Sequence, residues 1–351
     1  MQMHLIIASF FILTVIIAFV EERIDTVYKI AILCAYVLFM VFLASTKDIE
    51  TTADAIGYEE KFLTNDELLT ELTTEPTFIY LSRLLIALGG TISTLFFIYA
   101  VVTIPLKIKA LFALTPYVFT ALVLYIPKYF ELHDMIQIRA AAAATFFFLA
   151  IKPICDKRYI VASILVLCAI LMHYSAACLI PFIFWGNRKL SFWGRIIAAC
   201  LIPISFTLYF LKMDLFSLIP SFLVGGKLDF YKESTEKGEW AEISAPYLNL
   251  YFMGKCLVAY LCLYYYNFLV KIDNKAPLLI NLFVTSIVFL LSMSTIPVIG
   301  GRISDMFGII DCLVFTYCLY IFSPKYIVRI ALAIIGLFVI VYNIVNTEYF
   351  L

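Results

Sequence analysis

The chain has 351 residues, of which 64% are hydrophobic and 14% charged, and its mean hydropathy is +1.01. Soluble globular chains are about 45–50% apolar and about 25% charged, so this composition excludes a water-soluble fold. Basic and acidic residues balance at 25 each, which offers no argument for a nucleic-acid partner. The apolar runs are continuous, whereas barrel strands would alternate over ~10 residues, so the fold class is an all-α integral membrane protein. The nine cysteines lie in or beside apolar runs with no CxxC pair. They read as helix-packing residues with no metal or redox role. The N-terminal MQMH carries no basic region, and no small-residue cleavage site follows. The first run therefore reads as a membrane helix and not a signal peptide.

Twelve spans are predicted in one polytopic domain covering 1–351: about 4–20, 28–46, 91–106, 110–127, 138–152, 159–173, 175–187, 194–211, 248–268, 277–296, 303–322 and 327–346. The odd-numbered loops (EERIDTVYK, LKIK, KPICDKR, NRKLSFWGR, KIDNK, SPKYIVR) are short and hold 14 Lys/Arg against 5 Asp/Glu. The positive-inside rule places them in the cytoplasm and both termini outside. Two outer loops are long. The loop 47–90 begins polar and acidic, then continues as Thr77–Leu88. That stretch reads as a re-entrant or interfacial helix with Glu75-Pro76 in front and Gly89-Gly90 behind. The loop 212–247 mixes charge with Phe230, Tyr231, Trp240 and Tyr247, aromatics suited to sugar faces or to the bilayer interface.

Polar chemistry collects at the outer helix mouths. Glu131, His133, Asp134, Gln137 and Arg139 fall within nine residues and run into Ala140–Ala144. Charge at a membrane-helix mouth is costly and so usually functional. Arg139 offers a planar fork for phosphate or carboxylate. The plainer alternative is an arginine that snorkels, or that pairs with Glu131 or Asp134. The alanines read as close helix packing. His173, followed by Ser175, ends the sixth span, where an imidazole can act as a base or donate to an anion; a satisfied interfacial histidine is the plainer reading. Asp54, Tyr58 and Glu75 stand in the first long loop among many solvated carboxylates. Gly300-Gly301-Arg302 with Asp305 opens the eleventh span, where a simple i,i+3 pair would also explain the charges. Asp311 lies deeper and needs an interior partner that the sequence does not name. No Walker motif or Gly-rich nucleotide loop is present.

At these residues the chain resembles the EpsG/Wzy-type polysaccharide polymerases. The resemblance rests on Asp54-xxx-Tyr58, Glu75-Pro76 with Phe78, Ile138-Arg139 with the alanines, His173-Tyr174-Ser175-Ala176 and Arg302-Ile303-Ser304, in order across about 48–310. Ala140 replaces a frequent glutamine, and Asp305-Met306 replaces an aromatic pair. The resemblance implies a GT-C-like glycosyltransferase of the bacterial inner membrane that needs no cofactor. Its substrates would be undecaprenyl-diphosphate-linked oligosaccharides, as donor and acceptor, with a Wzz-type chain-length regulator as a possible partner. His173, Asp54 and Glu75 would be catalytic. Arg139, Gln137, Arg302, Tyr58 and His133 would bind the diphosphate or glycan. Two rival readings are a lipid-oligosaccharide flippase and a membrane O-acyltransferase; the first would favour charges near the midplane on broken helices.

Overall fold

The computed structural model describes residues 2–47, 53–64, 74–213, 249–293 and 297–346. The loop 212–247 and the acidic stretches 48–52 and 65–73 fall largely outside these residues. Among the described residues there are helices and no strands. Six helices are long and apolar enough to cross a membrane: Met3–Arg23, Thr26–Ser45, Ile92–Leu114, Ile138–Cys155, Phe192–Phe210 and Lys325–Val345. Two bent pairs, Leu250–Tyr264 with Tyr266–Ile272 (81°) and Gly300–Gly308 with Asp311–Ile321 (45°), raise the count to as many as eight. Four further apolar helices are shorter: Pro76–Ala87, Tyr159–Met172, Tyr174–Trp185 and Ala276–Ser292.

The chain divides into two compact units. The first comprises Met1–Phe184 and Cys318–Leu351. Its helices are α1 (Gln2–Val20), α2 (Thr26–Ser45), α3 (Ala53–Leu63), α4 (Pro76–Ala87), α5 (Ile92–Leu114), α6 (Val118–Leu124), α7 (Ile138–Cys155), α8 (Tyr159–Met172) and α9 (Ile180–Trp185). A π-helix, Tyr125–Ile136, continues α6 up to α7. The antiparallel neighbours α7 and α8 pack most extensively, and α5 lies against α2 and α7. Ala140–Ala144 are all buried on α7, as small residues are where helix backbones approach closely in a membrane.

The charges between α1 and α2 are structural. The Glu21 carboxylate accepts from the backbone amides of Phe119 (3.0 Å) and Thr120 (3.3 Å), from the Thr120 hydroxyl and from Arg329 at 3.2 Å. It thereby satisfies amides that the start of α6 leaves open and ties α1 to the last helix, where Lys325 pairs with Glu22.

One expected loop is absent. The sequence LKIK, read as a cytoplasmic turn after a span ending at 106, lies inside the 23-residue α5. Lys107 is fully buried and paired with Asp134 at 2.7 Å. The partner removes the penalty that made a lysine in an apolar run look like a loop. The turn comes later, at Thr115–Tyr117, and the apolar run after it begins at Val118. Glu131, His133 and Asp134, expected in an outer loop, are buried in the π-helix instead. Such i→i+5 stretches are rare and gather at functional sites.

The second unit, Trp185–Tyr317, contains α10 (Phe192–Phe210), α11 (Leu250–Tyr264), α12 (Tyr266–Ile272), α13 (Ala276–Ser292), α14 (Pro297–Gly308) and α15 (Asp311–Thr316). The short α16 (Cys318–Ile321) and α17 (Lys325–Asn346) return to the first unit. α13 is the centre of the second unit, packing against α10, α11 and α14. Asp311 has the interior partner its depth demands. Lys255 on α11 stands 2.8 Å from its Oδ2, and the Tyr251 hydroxyl donates to the same oxygen at 2.8 Å. Lys255→Ala leaves this carboxylate without its cation, and the melting temperature of the purified protein in detergent is expected to fall by several degrees. An unchanged melt would mean that the pair adds nothing. Breaking a buried pair typically costs ~3–5 kcal/mol.

Candidate functional site

Four stretches of the first unit converge on one carboxylate. Glu75 precedes Pro76, which holds it in an extended conformation (φ −69°, ψ 141°) and starts α4. Its backbone carbonyl accepts from Phe78 and Ile79, while its side chain makes no cap and turns away from the helix. At the far end of α4 the chain reverses through Gly89, whose φ of 76° suits glycine. Arg139 sits in the first turn of α7. His173 ends α8 in an extended conformation and leads into a 3-10 turn, Tyr174–Leu179.

Glu75, only 3% exposed, joins these pieces. Its Oε2 accepts from the Arg139 guanidinium, and its Oε1 lies 2.7 Å from His173 Nδ1. The Tyr174 amide donates to Oε1 at 3.4 Å. Thr77 donates to the Leu171 carbonyl at 2.6 Å, fastening the start of α4 to the end of α8. The rings of Tyr58 and Phe78 flank the guanidinium at 5.1 and 5.5 Å. Tyr58, Phe78, Tyr99 and Ala142 share one packed core. The alternative partners considered for Arg139 are occupied elsewhere: Asp134 by Lys107, and Glu131 by His4 (3.1 Å) and Asn343 (2.8 Å).

Burial would raise the Glu75 carboxyl, but the His173 hydrogen bond and the Arg139 charge outweigh it and hold it at about 2. A carboxylate only accepts hydrogen bonds, so Nδ1 of His173 carries a hydrogen, and in the neutral imidazole that puts the lone pair on Nε2. That is the geometry of a base oriented by an acid. The stability linked to Glu75 is complete above its ordinary value near 4.5 and is lost as pH falls from there towards 2. The melting temperature of wild type in detergent is therefore expected to drop more steeply over that window than that of Glu75→Gln. Parallel curves would refute the assignment.

The site also holds buried donors. Among the described residues Arg139 Nε and the Ser175 and Thr74 hydroxyls are buried without a hydrogen-bond partner. Buried polar groups are nearly always paired, so a group of unpaired donors beside a guanidinium suits an anionic ligand. No three His, Cys, Asp or Glu side chains lie together as metal ligands among the described residues.

The remaining predicted residues are distributed as follows. Asp54 lies one turn before Tyr58 on α3 and interacts with Lys47. Lys47 in turn donates to the Met135 carbonyl, and burial pushes its ammonium down to about 7. Gln137 is half-buried at the junction of the π-helix and α7. His133 is 1% exposed, its ring 5.5 Å from that of Tyr129, and both ring nitrogens lack partners among the described residues. Arg302 is half-buried on α14 of the second unit. Sequence reasoning missed Tyr99 and Thr77, which read as ordinary members of apolar helices, and Lys47.

These features define an α-helical, multi-pass membrane protein with a buried carboxylate–guanidinium–imidazole cluster. The chain belongs to the EpsG family, which it matches over residues 29–350. That family is associated with polysaccharide polymerisation. Comparison with curated proteins and with solved structures returns no match.

Proposed function

We propose that the protein polymerises lipid-diphosphate-linked oligosaccharide repeat units into a surface polysaccharide, on the outer face of the bacterial inner membrane. The observation that carries this reading is the single carboxylate, Glu75, bound at once to Arg139 and His173. A glycosyl transfer needs a base for the acceptor hydroxyl and a cation for the departing diphosphate, and the cluster offers both. Arg139 holds the donor diphosphate through the nitrogens that Glu75 leaves open, assisted by the buried hydroxyls. His173 Nε2 takes the proton as the acceptor oxygen attacks the anomeric carbon. The bond from that carbon to the diphosphate oxygen breaks, and its electron pair leaves with the lipid diphosphate. No nucleotide is consumed.

Glu75 is then a positioning residue for the base. Tyr58 presents an aromatic face beside the guanidinium, and Asp54 lies one turn away for the acceptor sugar. Gln137 at the start of α7 and His133 in the π-helix before it are assigned to binding the diphosphate or glycan, as is Arg302. The chain is read as crossing the membrane twelve times in one polytopic domain with both termini outside, counting Tyr159–Met172, Tyr174–Trp185, Ala276–Ser292 and the apolar run that begins at Val118 as passes and leaving Pro76–Ala87 as the re-entrant or interfacial helix. Undecaprenyl diphosphate is the carrier, and a Wzz-type regulator is a candidate partner.

A second reading, a flippase for the same lipid-linked units, draws support from Lys255–Asp311 on helices that belong to bent pairs. One experiment separates the two. A strain lacking the gene is complemented with wild type or His173→Ala, with equal protein in the membrane, and its surface glycan is resolved by length. Polymerase function predicts single repeat units at the surface and no ladder for the variant. Lipid-linked units trapped on the cytoplasmic side would favour the flippase, and a full ladder would remove His173 from the site.

A further inference from the structure

The proposed reaction does not explain a cavity of the first unit beside the charged cluster. It lies between α4, α5, α7 and α8, has a volume of about 270 Å³, and is lined by apolar surface that includes Tyr99, Val102, Ala142, Thr145, Phe146 and Met172. Three links join it to the charged cluster. Met172 immediately precedes His173. Ala142 is three positions along α7 from Arg139, on the same side of the helix. Tyr99 is 5% exposed, lines the cavity beside Thr77, and interacts electrostatically with Arg139 and Glu75. One turn further along α5, Val102 is 45% exposed on a helix long and apolar enough to cross the membrane, so the cavity opens towards the hydrocarbon region.

An apolar cavity that borders the charged cluster through Tyr99 and Met172 is matched to an amphiphile, with its anionic head at the cluster and its chain in the cavity. We infer that this cavity takes the head-proximal segment of the hydrocarbon chain of a prenyl-type lipid diphosphate, and that the Tyr99 hydroxyl at its mouth donates to the diphosphate. The inference rests on the reading of Arg139 as the diphosphate host. It adds the reason a lipid-linked donor is chosen over a water-soluble nucleotide-linked one. A soluble donor has nothing to fill the cavity, and burial of each chain methylene adds to affinity. It also makes Tyr99 a binding residue that no motif in the sequence marks.

The test uses the full-length protein in detergent and two synthetic probes: a long-chain prenyl diphosphate with a diazirine in the chain unit next to the head, and a single-isoprene diphosphate. Photolysis of the first is expected to label peptides containing Val102, Phe146 or Met172. Val102→Trp, which fills the exposed wall, should weaken the long-chain probe by about tenfold while leaving the short one unchanged. Ala142→Leu serves as a second filling variant should the first fold poorly. Tyr99→Phe should weaken both probes equally. Labelling confined to other helices, a filling variant with unaltered preference for the long chain, or equal competition by phosphatidylglycerol would overturn the inference with the head site intact. Arg139→Ala that bound both diphosphates like wild type would instead overturn the head-group reading itself.

Discussion

Glu75→Ala is expected to stop polymer formation, with the rate per molecule falling by at least about 10²-fold, the scale of a lost general base. The reason is that one carboxylate serves two partners. Without it His173 loses the acceptor that fixes its Nδ1 hydrogen, and Arg139 loses the anion that holds its guanidinium between Tyr58 and Phe78. The Glu75 side chain is 4% exposed and that of Arg139 13%, so solvent screens the pair poorly. Removing one partner of a buried pair costs ~3–5 kcal/mol, and a loss of folded protein is expected alongside the loss of rate. His173→Ala separates the two effects. It removes the base while the Glu75–Arg139 pair survives, so product per molecule should fall with little change in the amount of protein in the membrane. Ladder length and membrane protein level, measured together for both variants, check this. Equal loss of protein in both would reduce the cluster to a structural device.

The second large effect is one of stability alone. Asp134→Ala removes the carboxylate 2.7 Å from Lys107, a cation with no exposed surface, and ~3–5 kcal/mol of stability should go with it. Asp134 also accepts from Tyr125 at 2.6 Å and Thr103 at 3.2 Å, so three groups on α5 and the π-helix lose their acceptor together. The double variant Lys107→Met/Asp134→Leu replaces the pair with hydrophobic side chains and should recover most of the loss, because a buried pair contributes little over well-packed apolar groups. Melting temperature and yield in detergent measure both variants. A double variant as unstable as the single one would show that the hydroxyl partners, and not the charge, dominate the cost.

The membrane class was legible from composition, since a chain this apolar has no soluble alternative. Arg139 and His173 were legible as polar residues at the ends of apolar runs, and Tyr58 and Glu75, one tyrosine and one carboxylate in a long acidic loop, only through the family resemblance. Their convergence was not. Glu75 lies 98 positions from its histidine and 64 from its arginine, and hydropathy carries no information about which helix ends meet. The same limit explains the error at LKIK. Hydropathy prices Lys107 as an isolated charge and breaks the helix there, whereas its price depends on Asp134, 27 positions on. Asp311 shows the intermediate case: depth alone demanded a partner, but only packing selects Lys255. Tyr99 carried no signal at all, because a tyrosine in a membrane helix is ordinary until packing sets it beside Arg139 and Glu75.

The most direct measurement is reconstitution of the purified protein in liposomes with a lipid-diphosphate-linked repeat unit as the only substrate, with no nucleotide and no ion gradient. Glycosyl transfer predicts longer lipid-linked glycans and one free lipid diphosphate for every linkage formed, with both products missing for Arg139→Ala. Substrate that changes leaflet without any new linkage would contradict a glycosyltransferase and leave the cluster a part of a transporter.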